Sequence, residues 1–137
     1  MSEEEIRLET IGYADREAEQ RIDDFLAQPH AMLVDIRYRP YSRWRPAFNH
    51  GALAKRHNKQ YHLLLSLGNK NYNDPTKDIV IADPEDGVRN VLRLLDEGHS
   101  LMLMCACKDY ERCHRKIVYD LVMAALKERE AMSPTNI

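Results

Sequence analysis

The chain has 137 residues with 20 basic and 22 acidic side chains and a formal charge of −2, so its overall field draws it onto neither nucleic acid nor an anionic membrane, and any preference for anions has to be local. That length buries one respectable core without disulfide or metal staples, which predicts a single domain over residues 1–137 with a loose tail at 133–137. No apolar run approaches the roughly 20 residues of a membrane span, and the acidic start Met1-Ser2-Glu3-Glu4-Glu5 is opposite in sign to a basic signal peptide, so a cytoplasmic protein with no membrane partner is expected.

Arg7-Leu8-Glu9-Thr10-Ile11 alternates and runs into Gly12, which predicts a first strand. Ala18, Ile22, Phe25 and Leu26 recur at helical spacing until Gln28-Pro29 closes the segment. Ala31-Met32-Leu33-Val34-Asp35-Ile36 is a nearly continuous apolar run, the pattern of a parallel strand covered on both faces, and is expected to be central. The polar loop Arg37 to Pro46 gathers positive charge and leads to a helix from about Asn49 to Asn58 and a third strand at Tyr61 to Leu65. Ser66 to Pro75 is rich in turn formers and reads as a long surface loop. Pro84, followed by Val88, Val91, Leu92 and Leu95, predicts a helix ending near Gly98. His99 to Cys105 makes a fourth strand, and a last helix runs from Asp109 or Tyr110 to Arg129 with Ile117, Val118, Leu121, Ala124 and Ala125 facing inward.

Strands alternating with helices at these lengths imply right-handed crossovers and an α/β fold, a three-layer, Rossmann-like sandwich whose mainly parallel sheet has about four or five strands. Such sheets take ligands beyond the carboxyl ends of their strands. Thr10 to Tyr13, Asp35 to Arg43, Ser66 to Asn71 and Cys105 to Lys108 are therefore expected at one rim. The chain carries no dinucleotide glycine fingerprint and no Walker loop.

All three cysteines lie within nine residues, where the fourth strand hands over to the last helix. An odd number of crowded cysteines in a chain with no secretion signal points to reduced thiols, a metal site or redox chemistry rather than a disulfide framework.

At Asp35-Ile36-Arg37 with Pro40-Tyr41-Ser42-Arg43, and again at Cys105-Ala106 with Cys113-His114-Arg115, the chain resembles domain-of-unknown-function family number 488. Thr10-Ile11-Gly12-Tyr13, Phe48 and the Tyr61 to Gly68 segment fall where that family has corresponding stations, so the resemblance spans nearly the whole chain. It implies an α/β fold with a site at these motifs and supplies no activity. The family's usual segment is Cys-Ala-Glu; here Cys107 takes the acidic position, which disfavours a mechanism needing a carboxylate there and makes thiol or metal chemistry more plausible.

Three readings of the site stand side by side. Arg37, Ser42, Arg43 and Arg115, with Gly12 and Tyr13 at the same rim, form a candidate receptor for a phosphorylated or otherwise anionic small molecule, and this accounts for the most features at once. Asp35, Cys107 and His114 would then supply proton transfer or nucleophilic attack in a transferase or hydrolase. Asp35 serves equally well as a clamp on the loop. The arginines with Tyr38, Tyr41 and Trp44 alternatively read as a nucleic-acid-binding module. Cys105, Cys107, Cys113 and His114 are soft ligands suited to zinc. Their spacing is not a standard zinc pattern, and neighbours 113 and 114 on one helix would diverge by about 100°, so zinc is the less favoured reading. Cys113, at helical spacing with Ile117 and Leu121, is expected to pack in the core.

Overall fold

The computed structural model describes residues 8–107 and 110–131. The expectations placed on the acidic start, Arg7, Lys108, Asp109 and the 133–137 tail lie outside the described residues. Eight elements follow in chain order: β1 (Leu8–Gly12), α1 (Ala18–Leu26), β2 (Ala31–Asp35), α2 (His50–His57), β3 (Tyr61–Leu63), α3 (Pro84–Asp96), β4 (Ser100–Cys105) and α4 (His114–Ala131). The four strands form one parallel sheet in the order β1-β4-β2-β3. The α/β sandwich expected from the alternation of patterns is the one observed.

The apolar runs of β2 and β4 serve both faces. Met32, Val34, Leu101, Leu103 and Cys105 pack against Val91, Leu94 and Leu95 of α3 and Val118 and Val122 of α4. Leu33, Met102 and Met104, on the alternate positions, meet Ile22, Phe25 and Leu26 of α1 and Leu53 of α2. Two helices cover each face, and β4 and β2 carry no exposed side. Asp83 caps α3, its carboxylate accepting the Asp86 N–H at 3.2 Å, with Pro84 in the first turn as the sequence signal implied. No described helix is long and apolar enough to cross a membrane.

The inward face of α4 differs from the one its periodicity suggests. Val118 and Val122 are buried, whereas Ile117, Leu121 and Ala124 are exposed. The helix is phased by its first turn, where His114 and Arg115 are both buried against the sheet. A hydrophobicity count assigns those two polar residues to the solvent side, which rotates the predicted stripe.

Parallel strands put all carboxyl ends on one edge. Gly12 pairs with Cys105 and Asp35 with Met104 in the strand register. Beyond the strands, Ile36 N–H donates to the Met104 carbonyl and Tyr13 N–H to the Cys105 carbonyl, each at 3.0 Å. The 66–83 segment is held partly by Asn69, whose side-chain oxygen accepts the N–H groups of Asn71 (2.9 Å) and Val80 (3.0 Å).

Candidate metal centre

Cys105 ends the central strand with its thiol on the α3 and α4 side of the sheet. After Cys107 the chain forms a short 3-10 turn at Tyr110–Arg112, and Cys113 N–H closes it by donating to the Tyr110 carbonyl at 3.1 Å. Cys113 therefore precedes α4 and caps it. Its Sγ accepts the backbone N–H of Arg115 at 3.5 Å, the role a serine or aspartate usually fills. Because Cys113 stands outside the helix that His114 begins, the roughly 100° divergence of helical neighbours does not apply. The two side chains converge.

They meet Cys105 and Cys107. One ligand atom from each of Cys105, Cys107, Cys113 and His114 lies within 4.8 Å of all the others. Cys105, Cys113 and His114 are buried and Cys107 is half-buried. A tetrahedral ion with bonds of about 2.0–2.3 Å needs donors about 3.3–3.8 Å apart, so a small contraction would let these four residues hold one. His114 is already oriented for it: its Nε2–H donates to the Ile36 carbonyl at 2.6 Å, leaving Nδ1 turned to the sulfurs, 4.0 Å from Cys113 Sγ. An outer hydrogen bond of this kind is the usual companion of a metal-binding histidine.

The groups of the cluster act on one another. Hydrogen bonds from Cys105 and Cys107 hold Cys113 well below the ordinary thiol range despite its burial, with His114 and the Arg115 N–H adding to the effect. Burial, reinforced by Cys107 and Cys113, pushes the Cys105 thiol up. Burial opposes charge on His114, yet Cys107, Cys113 and the Ile36 carbonyl together raise it to about 9. Crowded thiols of this kind suit a divalent ion, whose charge would favour the thiolate form of its ligands.

Arg115 touches each cysteine. Besides its backbone N–H on Cys113, its Nη1 donates to Cys105 Sγ at 3.6 Å and to the Cys107 carbonyl at 3.1 Å. Gly12 makes room for this. A Cβ there would overlap the Cys107 carbonyl oxygen and the Arg115 guanidinium, so the glycine expected to meet a ligand instead permits close approach of β1 to the β4–α4 loop.

Asp35 and Arg37 form a second buried group. The Arg37 Nε and Nη2 donate to the two Asp35 oxygens at 2.8 and 2.6 Å, and Nη2 also reaches the Phe48 carbonyl at 2.6 Å. Tyr61 donates to Asp35 Oδ2 at 2.5 Å, and burial together with this carboxylate pushes its phenol up. Asp35 thus holds Arg37 and Tyr61 to the end of β2. Sequence reasoning missed Tyr61, since nothing in a three-residue strand says which of its side chains reaches across the sheet.

Tyr13, Ser42 and Arg43 are the other residues expected at this rim. Tyr13 is buried and stacks on Phe48 with centroids 4.7 Å apart, and its carbonyl accepts Arg45 Nη1 at 2.8 Å. Ser42 Oγ accepts the Arg45 N–H at 3.0 Å, and Arg43 is exposed. Among the described residues no hydrogen bond or shared partner links Arg37, Ser42, Arg43 and Arg115. No curated protein and no solved structure matches the chain. The family model described as "Domain of unknown function DUF488" matches residues 18–122, a span that holds the Asp35–Arg37 pair and the whole Cys/His cluster, and the chain belongs to that family.

Proposed function

We propose that Cys105, Cys107, Cys113 and His114 hold a single zinc ion that ties the β4–α4 junction to the end of β2, making this a metal-stabilised α/β protein. The observation that carries the reading is the mutual 4.8 Å separation of four soft donors. Three sulfurs and one imidazole are a tetrahedral zinc set, and four protein ligands leave no open position for substrate, which favours a structural ion. A zinc ion with three thiolates carries one net negative charge, and Arg115 supplies the neighbouring positive one. Metal analysis of protein purified under reducing conditions without chelator tests this: about one zinc per chain is expected, replaceable by cobalt with the visible bands of a tetrahedral thiolate site. Protein that is metal-free and takes up neither ion overturns it.

A second reading, an anion at the same rim, has one specific observation in its favour. Arg37 Nη1 and Arg115 Nε are buried without an acceptor, and such groups call for a missing partner. Stabilisation by inorganic phosphate that is lost in Arg115→Gln supports that reading; an unchanged melting temperature at high phosphate removes it.

A further inference from the structure

Residues 36–73 contain eight of the 20 basic residues and none of the 22 acidic ones, so an acidic chain carries one segment of opposite sign. Some of that charge is spent internally. Arg37 is neutralised by Asp35, and Arg56 pairs with Glu19 and Asp23 across to α1. Arg39 and Arg43 have no carboxylate partner among the described residues.

The aromatic side chains beside them face solvent. Trp44 is 82% exposed and Tyr41 58%, and Tyr38 and Tyr72 are exposed as well. Burying such rings is strongly favourable, and leaving four of them open on one loop system is costly unless something covers them. Part of this set is in contact. Tyr38 and Tyr72 have centroids 6.2 Å apart, and Arg39 lies 5.8 Å from the Tyr41 ring. Gly68 permits this meeting, since a Cβ there would overlap the backbone of Tyr38.

The loop that displays these groups is built, not loose. Tyr41 N–H donates to the Arg39 carbonyl (2.8 Å) and His50 N–H to the Pro40 carbonyl (3.0 Å). Ser42 N–H donates to Asn49 Oδ1 at 2.5 Å, and Arg45 N–H donates to Ser42 Oγ at 3.0 Å. A pre-ordered loop loses little entropy when it binds.

We infer that the adjoining loops that carry Tyr38, Arg39, Tyr41, Arg43, Trp44 and Tyr72 bind single-stranded nucleic acid, the aromatic rings stacking on bases and the two arginines neutralising phosphates. Sequence-tolerant strand binding combines these two components. A duplex hides its base faces and would leave the rings idle, and an acidic peptide would use the arginines alone. The inference is independent of the metal reading.

Trp44 is the only tryptophan in the chain, so its fluorescence reports this face directly. The experiment titrates the full-length, metal-analysed protein with oligothymidylate of about 12 nucleotides, followed by Trp44 emission and by anisotropy of labelled strand. Saturable quenching is expected, with affinity falling as salt rises from about 50 to 200 mM. Arg39→Ala with Arg43→Ala lowers the log–log salt slope by about 1.4, the loss of two phosphate contacts to a single strand. Trp44→Ala weakens binding at least about fivefold while Trp44→Phe retains most of it. All these side chains are exposed, so unchanged melting temperature and zinc content keep a binding loss separate from unfolding and from failure of the metal site. No binding at about 50 mM salt overturns the inference. So does equal binding of thymidine monophosphate, of duplex, or of polyglutamate, the last identifying a general polyanion surface.

Discussion

The Nε2–H of His114 donates to the carbonyl oxygen of Ile36 at 2.6 Å, joining the first residue of α4 to the residue that follows β2. This one bond fixes which ring nitrogen faces the cysteines and anchors the root of the basic loop. His114→Ala should therefore lose both: about one zinc per chain falls to a small fraction, and the melting temperature drops. Metal analysis with calorimetry checks this, and retained zinc in His114→Ala would show that the imidazole is no ligand.

Under the zinc reading, removing the ion from the intact chain should mimic that variant. Chelator treatment under reducing conditions is expected to lower the melting temperature, with recovery on adding zinc, because a structural ion contributes folding free energy directly. Acid should release the ion for the same reason, since protons compete for thiolate and imidazole ligands.

Arg115 contacts all three cysteines without being one of the four proposed zinc ligands. Arg115→Leu should weaken zinc affinity by about 10- to 100-fold, the usual loss when an outer partner of a metal site is removed. Competition with a chromophoric chelator measures it, and unchanged affinity would mean that the arginine serves packing alone.

The Asp35–Arg37 pair is 0% and 5% exposed, so breaking it leaves a charge with nowhere to go. Asp35→Ala should cost about 3–5 kcal/mol of stability, the range for an orphaned buried charge. Tyr61→Phe removes one hydrogen bond and keeps the ion pair, and should cost about 1–2 kcal/mol. Denaturant midpoints of the two variants give the order.

Two glycines offer a contrast. Gly51, in α2, has open space where a Cβ would go, so Gly51→Ala should stabilise by about 0.4–1 kcal/mol. Gly12→Ala drives a methyl into the Cys107 carbonyl and Arg115, and should lower both stability and zinc affinity.

Burial lowers His57 and His62, with Arg56 and Arg93 adding to the effect. The folded protein keeps these half-buried rings neutral to lower pH than the unfolded chain does. As pH falls through about 6.5 the unfolded chain takes up protons first, so stability declines from there until the folded-state rings protonate too. His57→Gln and His62→Gln should flatten the melting temperature between about pH 7 and 5.5; an unchanged slope in both would locate the acid sensitivity elsewhere.

Sequence determined the layers. The apolar runs at Ala31–Ile36 and Leu101–Cys105 need cover on both faces, and only helices on both sides of a parallel sheet provide it. It also marked the two buried polar groups, because three cysteines in nine residues and the Asp35–Arg37 spacing are visible without coordinates. Tertiary structure decided how those side chains are brought together. The phase of α4 follows from two buried polar side chains that hydrophobicity scales send outward, and Tyr61 and the Ile36 carbonyl reach their partners across strands. Cys113 and His114 converge because the helix begins between them. A one-residue difference in where a helix starts changes side-chain direction by about 100°, and helix boundaries are the feature that local sequence specifies least.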